Sequence, residues 1–234
     1  MKNLVKIFKT IRPFNKSIQI EGDKSLSIRW ALLASQAIGK STSTNLLKSE
    51  DVLNTLKCLK KLGVKVNLIK NKCEIYGMGI NGYKYKKNIV LNAGNSGTFA
   101  RLVLGLLIKS PYYIKLVGDK SLSQRDFERV ISPLQKVGAS FKFNKKKTLP
   151  LQIIGSNFTN PIHYFEKKGS AQCKSAVILG ALKSDGETTI KAKKSRNHTE
   201  LLCKHLNIPI KVYSRKNYDY IKIKKTSRID NLDY

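Results

Sequence analysis

Residues 126–154, DFERVISPLQKVGASFKFNKKKTLPLQII, carry the pattern that decides the fold. Phe127, Val130, Ile131, Leu134 and Val137 recur at helical spacing, which predicts an amphipathic helix over 126–137 with one apolar stripe. Gly138 follows and supplies the left-handed backbone on which helices commonly end. Two β-rich runs come next, at 140–143 and 151–154, joined by a polar, lysine-rich turn of the kind hairpins need. Upstream, residues 97–108 read as a small-residue and apolar helix and 113–117 as a strand.

The same grammar recurs on both sides. In the first unit it gives a helix at 27–37, a strand around 41–46, and a second helix at 50–62 with the stripe Val52, Leu56, Leu59 and Leu62. Gly63 and strands at 65–69 and 73–76 complete it. The third unit gives a helix at 170–182, a strand at 187–192, a helix at 198–206 ended by Asn207, and strands at 211–213 and 220–223. The second helices end at Leu62, Val137 and Leu206, a period of roughly 70 residues, and similarity at a fixed period marks stacked supersecondary units. Each unit reads β-α-β-α-β-β, so the class is α/β. Residues 1–20 are expected to form a separate pair of short strands. Residues 225–234 show neither helix nor apolar face, and an abrupt stop is expected there.

A chain of 234 residues with 41% hydrophobic composition can bury a sizeable core. Its longest apolar stretch, residues 102–108, falls far short of the roughly 20 residues that span a bilayer. The basic N-terminus lacks an apolar signal core, so the expected location is cytoplasmic. Cys58, Cys73, Cys173 and Cys203 show no CxxC or Cys/His cluster and are expected as buried free thiols, with no metal site. The net charge of +30 points toward polyanions or anionic metabolites. Its lysines are scattered through every segment without a nucleic-acid-binding motif, which favours a solvated surface over nucleic-acid contact.

The chemistry-bearing residues sit at helix starts. Gly22-Asp23-Lys24-Ser25 precedes the first helix, whose N-terminus offers unpaired N–H groups and partial positive charge. Lys24 adds a point charge, Ser25 a hydroxyl and Arg29 a planar fork suited to phosphate or carboxylate. By itself this is equally a capped helix with solvated charges. Gly94-Asn95-Ser96-Gly97-Thr98 has the same character before the second unit's helix, without the order of a nucleotide-binding Walker loop. Asp119 to Arg125 repeats the flavour of the first motif, placing Arg125 toward a shared cleft. Ser170-Ala171-Gln172 opens the third unit's first helix, and Ser195-Arg196 precedes its second. Equivalent helix starts in stacked repeats converge on one face.

At these residues the sequence resembles the 5-enolpyruvylshikimate-3-phosphate synthase family. Gly22 to Arg29 is similar to its GDKS-xxxR signature, Asn92 to Arg101 to its NAGNSGT-xxR segment, Ser170 to Ala176 to its SAQ-xKSA segment, and Ser195 to Glu200 to its SRDHTE. The resemblance implies an inside-out, barrel-like α/β enolpyruvyl transferase domain of three β-α-β-α-β-β repeats. On this reading residues 1–21 give opening strands of a second domain, 22–224 the three-repeat substrate-binding domain, and 225–234 a crossing segment; the chain matches only the first half of a family member.

The activity implied is transfer of the enolpyruvyl group of phosphoenolpyruvate to the 5-hydroxyl of shikimate 3-phosphate, with release of phosphate, by a cytoplasmic monomer using no cofactor. Lys24, Ser25, Arg29, Ser170, Ala171, Gln172, Ser195 and Arg196 would hold shikimate 3-phosphate. Lys24, Asn95, Gly97, Arg125 and Gln172 would hold phosphoenolpyruvate, with Lys24 acting between both ligands as the catalytic cation. The family usually has proline after its equivalent of Arg125; Asp126 here places a negative charge beside that ligand. The family's acid/base carboxylates lie in its other half, so this chain alone is expected to be inactive. Competing readings are the sister transferase acting on UDP-N-acetylglucosamine, whose hallmark is GxKNA, and a basic RNA-binding repeat domain without activity.

Overall fold

Asp23 Oδ1 accepts the Leu26 amide at 2.8 Å, so helix α1 (Lys24–Gln36) begins three residues ahead of the expected start and draws Lys24 and Ser25 into its first turn. The first unit continues with β1 (Ile38–Thr44), α2 (Glu50–Lys61), β2 (Lys65–Ile69) and β3 (Lys72–Met78) in the computed structural model, which describes residues 6–233 except 7, 11, 14, 19, 71 and 145. The second unit runs β4 (Val90–Asn92), α3 (Gly97–Leu106), β5 (Ile114–Val117), a 3-10 turn at Leu122–Gln124, α4 (Glu128–Val137), β6 (Ser140–Lys142) and β7 (Leu151–Ile154). The third runs β8 (His163–Glu166), α5 (Ala171–Ala181), β9 (Glu187–Lys193), α6 (His198–His205), β10 (Ile210–Arg215) and β11 (Tyr218–Lys224). The expected left-handed helix ends are present: φ is +91° at Gly63, +129° at Gly138 and +53° at Asn207.

The repeat is visible in the strand order. The second sheet is β4-β5-β7-β6 and the third β8-β9-β11-β10, each with one parallel pair between its first two strands and antiparallel pairs elsewhere. The first sheet, β1-β3-β2, lacks a first strand of its own. Residues 229–233 stand in that place: parallel bridges join Ile38 to Asp230 and Thr42 to Asp233, and the Ile38 and Thr42 amides donate to Ile229 and Leu232 carbonyls. This corrects the expectation of a terminal segment without an apolar face, because Ile229 and Leu232 are buried. Of the strand pair expected in residues 1–20, part lies outside the described residues. The described ones form no strand, and Phe8, Ile18 and Ile20 face solvent.

The helices divide into two kinds. α1, α3 and α5 are buried nearly all round, whereas α2 and α4 are amphipathic and bury one stripe, such as Val130, Ile131, Leu134 and Val137 in α4. The sheets pack one face inward and keep the other in solvent, so helices form the inside of the domain. α3 and α5 come into near backbone contact, since a Cβ added to Gly105 would lie 2.2 Å from the Ala176 carbonyl oxygen.

Candidate active site

The three buried helices aim their N-termini at one cleft. Lys24 of α1, Gly97 and Thr98 of α3, and Gln172 of α5 line a single opening of about 470 Å³ together with Asn95, Arg125, Glu50 and Asp51. Each of these helices begins with a side-chain cap: Asp23, Ser96 and Ser170 accept the amides of Leu26, Phe99 and Cys173. The first turns divide by charge. α2, α4 and α6 carry Glu50 and Asp51, Glu128, and Glu200, which compensate the positive end of the helix dipole. α1, α3 and α5 carry no acid within the first turn; the α1 start keeps the Asp23 carboxylate as its cap and the α5 start has Glu166 on the Ser170 amide, so the α3 start is the one without a carboxylate on its capping groups.

Cations complete the lining. Lys24 Nζ lies 3.0 Å from Asp51 Oδ2, with its side chain half exposed. Arg125 Nη2 donates to Asn95 Oδ1 at 3.0 Å. Arg101, part of the second motif but given no role by the sequence reading, projects back over its own helix start, as a residue one turn into a helix does. It donates to the Gly97 carbonyl at 3.3 Å, to Gln172 Oε1 at 3.2 Å and to the Asp126 carbonyl at 3.1 Å, and lies over the Phe127 ring. Gln172 Nε2 in turn donates to Thr98 Oγ1 at 3.0 Å, which fixes the amide of Gln172 between α3 and α5. Burial pulls the Arg101 guanidinium below its usual value. A Cβ at Gly97 would lie 2.9 Å from Arg101 Nη1 and 3.1 Å from Arg125 Nη1, so two guanidinium groups close over the one residue without a side chain.

Asp126 keeps its negative charge near the arginines of the cleft, where it acts on Arg101. Its Oδ1 also accepts the Glu128 amide at 2.7 Å at the start of α4.

Ser170 is placed by a longer chain of causes. Pro133, inside α4, has no N–H to return to the Arg129 carbonyl, and the Tyr164 hydroxyl of β8 donates to that carbonyl at 3.3 Å. Arg129 also pairs with Glu166 at 3.4 Å, and Glu166 Oε2 accepts the Ser170 amide at 2.8 Å. The proline-freed carbonyl and the Glu166 carboxylate thus fix where α5 and its residues Ala171 and Gln172 begin.

The remaining motif residues form a second, buried cluster. Arg29 Nε donates to Thr199 Oγ1 at 2.9 Å, Nη1 to the Ser25 carbonyl at 3.0 Å, and Thr199 donates to Ser175 Oγ at 2.8 Å. Burial pushes the Arg29 guanidinium down to about 10, with Glu200 opposing that shift. Lys174 Nζ forms an ion pair with Glu200 Oε1 at 2.7 Å and lies 3.6 Å from Asp219 Oδ2. One arginine, one lysine, one threonine and one glutamate of the motifs therefore join α1, α5 and α6. Ser195 Oγ is buried with no hydrogen-bond partner among the described residues, while Arg196 beside it is exposed. Burial and the neighbouring Arg29 lower the His198 imidazole, keeping it neutral near Arg196.

All four cysteines are free and buried, and burial pushes the thiols of Cys58 and Cys73 up to about 11, which makes them inert at neutral pH.

Three repeated α/β units with their inner helices aimed at one cleft lined by Lys24, Arg125 and Gln172 define an α/β domain of the enolpyruvyl transferase type. The chain belongs to the EPSP synthase (3-phosphoshikimate 1-carboxyvinyltransferase) family, whose model matches residues 8–231. It is 41% identical over 210 residues to the 3-phosphoshikimate 1-carboxyvinyltransferase of Ruthia magnifica, covering 88% of this chain and 48% of that protein. It is 39% identical over 200 residues to that of Bacillus cytotoxicus, covering 85% and 47%. The EPSP synthase structure from Acinetobacter baumannii superposes with a TM-score of 0.85 at 32% identity, over 92% of this chain and 48% of that one. The chain spans about half the length of the curated relatives it matches.

Proposed function

We propose that residues 22–224 form the substrate-gripping domain of an enolpyruvyl transferase that joins phosphoenolpyruvate to the 5-hydroxyl of shikimate 3-phosphate. The observation that carries this reading is the convergence of Lys24, Asn95, Gly97, Arg125 and Gln172 on one cleft at the starts of the three inner helices. Both substrates are anionic, and holding them side by side requires several cations and amides aimed at one space. Lys24 and Arg125 offer point and planar charge to the phosphate and carboxylate of phosphoenolpyruvate. Ser170, Ala171, Ser195 and Arg196, at the starts of α5 and α6, extend the site toward shikimate 3-phosphate, with Ser25 and Arg29 on the α1 side. The reaction adds the 5-hydroxyl oxygen to carbon 2 of protonated phosphoenolpyruvate and then expels phosphate, so it needs a proton donor and acceptor within hydrogen-bond reach. The carboxylates at this cleft are Glu50 and Asp51, and Asp51 is engaged by Lys24. On the family resemblance the general acid/base groups are not among the cleft residues here, so the chain alone is expected to bind without turnover, as a cytoplasmic monomer with no cofactor.

Calorimetric titration of the 234-residue chain with shikimate 3-phosphate and with phosphoenolpyruvate tests this. Binding that Arg125→Ala weakens about tenfold is expected, the scale of a lost charged hydrogen bond. Absence of binding to either metabolite would sink the proposal, and phosphate release at enzyme-like rates would sink its second half.

A further inference from the structure

The outward face of the third sheet differs from the other two. Its central row, followed through the strand register, is Phe165, Lys191, Tyr220 and Tyr213 across β8, β9, β11 and β10. The next row adds Lys193, Tyr218 and Arg215. Tyr213 and Tyr220 stack with centroids 5.1 Å apart and planes within 4°. Phe165 and Tyr218 sit 5.8 Å apart, and the Lys191 ammonium lies within reach of three rings, 4.9 Å from Tyr218, 5.1 Å from Phe165 and 5.8 Å from Tyr220. Phe165 is 42% and Tyr213 53% exposed, which is unusual for large rings on a surface that faces water. The buried alternates, Ile190, Ala192, Ile221 and Ile223, point the other way into the core, so these rings lie outside it.

The repeat supplies an internal comparison. The equivalent row of the first sheet is Lys40, Tyr76 and Lys65, with one ring, and that of the second is Val90, Lys115, Gln152 and Lys142, with none. All three faces are basic, so a general surplus of lysine accounts for the charge. It does not account for four rings gathered on one face of three.

We propose that this face binds single-stranded nucleic acid, its rings stacking on bases and its lysines and arginine following the phosphates. The physical requirements of such a platform are a flat sheet, rings with accessible faces and a cationic border. The charge is complementary: Lys191, Lys193, Lys211, Arg215 and Lys222 share the face with Glu187, which already lies 3.9 Å from Lys222. A lysine ammonium resting on a ring marks a place where a cation and a π-face coexist; a stacking base takes the ring and the flexible ammonium moves to the adjoining phosphate. A duplex hides its base faces and satisfies only the charge.

Fluorescence anisotropy with a labelled single-stranded oligouridylate, at about 150 mM salt where non-specific charge binding weakens, tests the assignment. Wild type is expected to bind the single strand more tightly than a duplex of equal length. The double variant Tyr213→Ala/Tyr220→Ala should weaken single-strand binding about tenfold and leave duplex binding unchanged, while Tyr213→Phe/Tyr220→Phe retains it. Lys115→Ala/Lys142→Ala removes two positive charges from the ring-free row of the second sheet as a control for charge alone and should have little effect. A cooperative melt and an unchanged far-UV circular dichroism spectrum show that the variants fold, with the lost ring pair lowering the melting temperature by a few degrees at most. Single-strand binding indifferent to the tyrosines, tighter binding to duplex, or capture by anionic vesicles in place of the oligonucleotide overturns the proposal.

Discussion

Lys24 Nζ and Asp51 Oδ2 stand 3.0 Å apart and tie the start of α1 to the start of α2 across the edge of the cleft. Asp51 thereby competes with any incoming anion for the ammonium that the proposed site depends on. Because the lysine is half exposed, the pair is worth only about 0.2–1 kcal/mol. Asp51→Asn is expected to tighten phosphoenolpyruvate binding roughly two- to fivefold, and Lys24→Ala to weaken it by more than that. Calorimetric dissociation constants for the two variants decide the matter; equal affinity in wild type and Asp51→Asn would show that the pair does not restrain Lys24.

Gly97 is the next test of the cleft. Its added methyl group would meet the ends of Arg101 and Arg125, which are flexible, and not backbone. Gly97→Ala should therefore fold with an almost unchanged melting temperature while displacing both guanidinium groups by a few tenths of an ångström. Phosphoenolpyruvate affinity is expected to fall about tenfold or more, with shikimate 3-phosphate, held from α1, α5 and α6, much less affected. A parallel loss of both affinities would place Gly97 at the shared centre of the site.

The helices, the hairpins and the three-unit repeat are legible in the sequence because each rests on local patterns: stripes such as Phe127 to Val137, and left-handed residues at Gly63, Gly138 and Asn207. The partner of β1 is not legible, since residues 229–233 pair with it across some 190 positions and show only Ile229 and Leu232 as apolar signal. Within the site, Lys24, Asn95, Gly97, Arg125 and Gln172 follow from helix-start chemistry and the family motifs. Arg101 was recoverable from its place one turn after Gly97. The inward turn of Arg29 toward Thr199 was not, because only tertiary packing brings α1 and α6 together. Motif residues read as ligands thus include residues that hold the motifs to one another.

That holding role makes a stability prediction. Lys174 and Glu200 are almost completely buried, and removing one charge leaves the other without its closest partner. Glu200→Gln is expected to cost about 3–5 kcal/mol, read as a lower urea midpoint at unchanged slope. Thr199→Val should cost less, about 1–3 kcal/mol, for the lost partner of Arg29 Nε. A Glu200→Gln protein as stable as wild type would show that Asp219, 3.6 Å from Lys174, suffices to balance the lysine.

Lys183 makes a prediction with a pH signature. It is buried after α5, donates to the Leu106 carbonyl at 2.6 Å, and lies over the Tyr83 ring. Burial, with a smaller contribution from Lys109, pushes its ammonium down from 10.5 to about 7. Between those values the unfolded chain holds more protons than the folded one, so this residue makes stability rise with pH. Its cost is fully present below pH 7 and is relieved progressively toward pH 10.5. Lys183→Met removes the cost at every pH, so its advantage over wild type should be largest at about pH 6 and shrink by about 2–3 kcal/mol at pH 9. For a chain of this size that corresponds to several degrees in melting temperature. Comparing the two proteins at each pH cancels every other titrating group, and a melting-temperature difference that stays constant from pH 6 to pH 9 would place the lysine's proton on the solvent side of the fold.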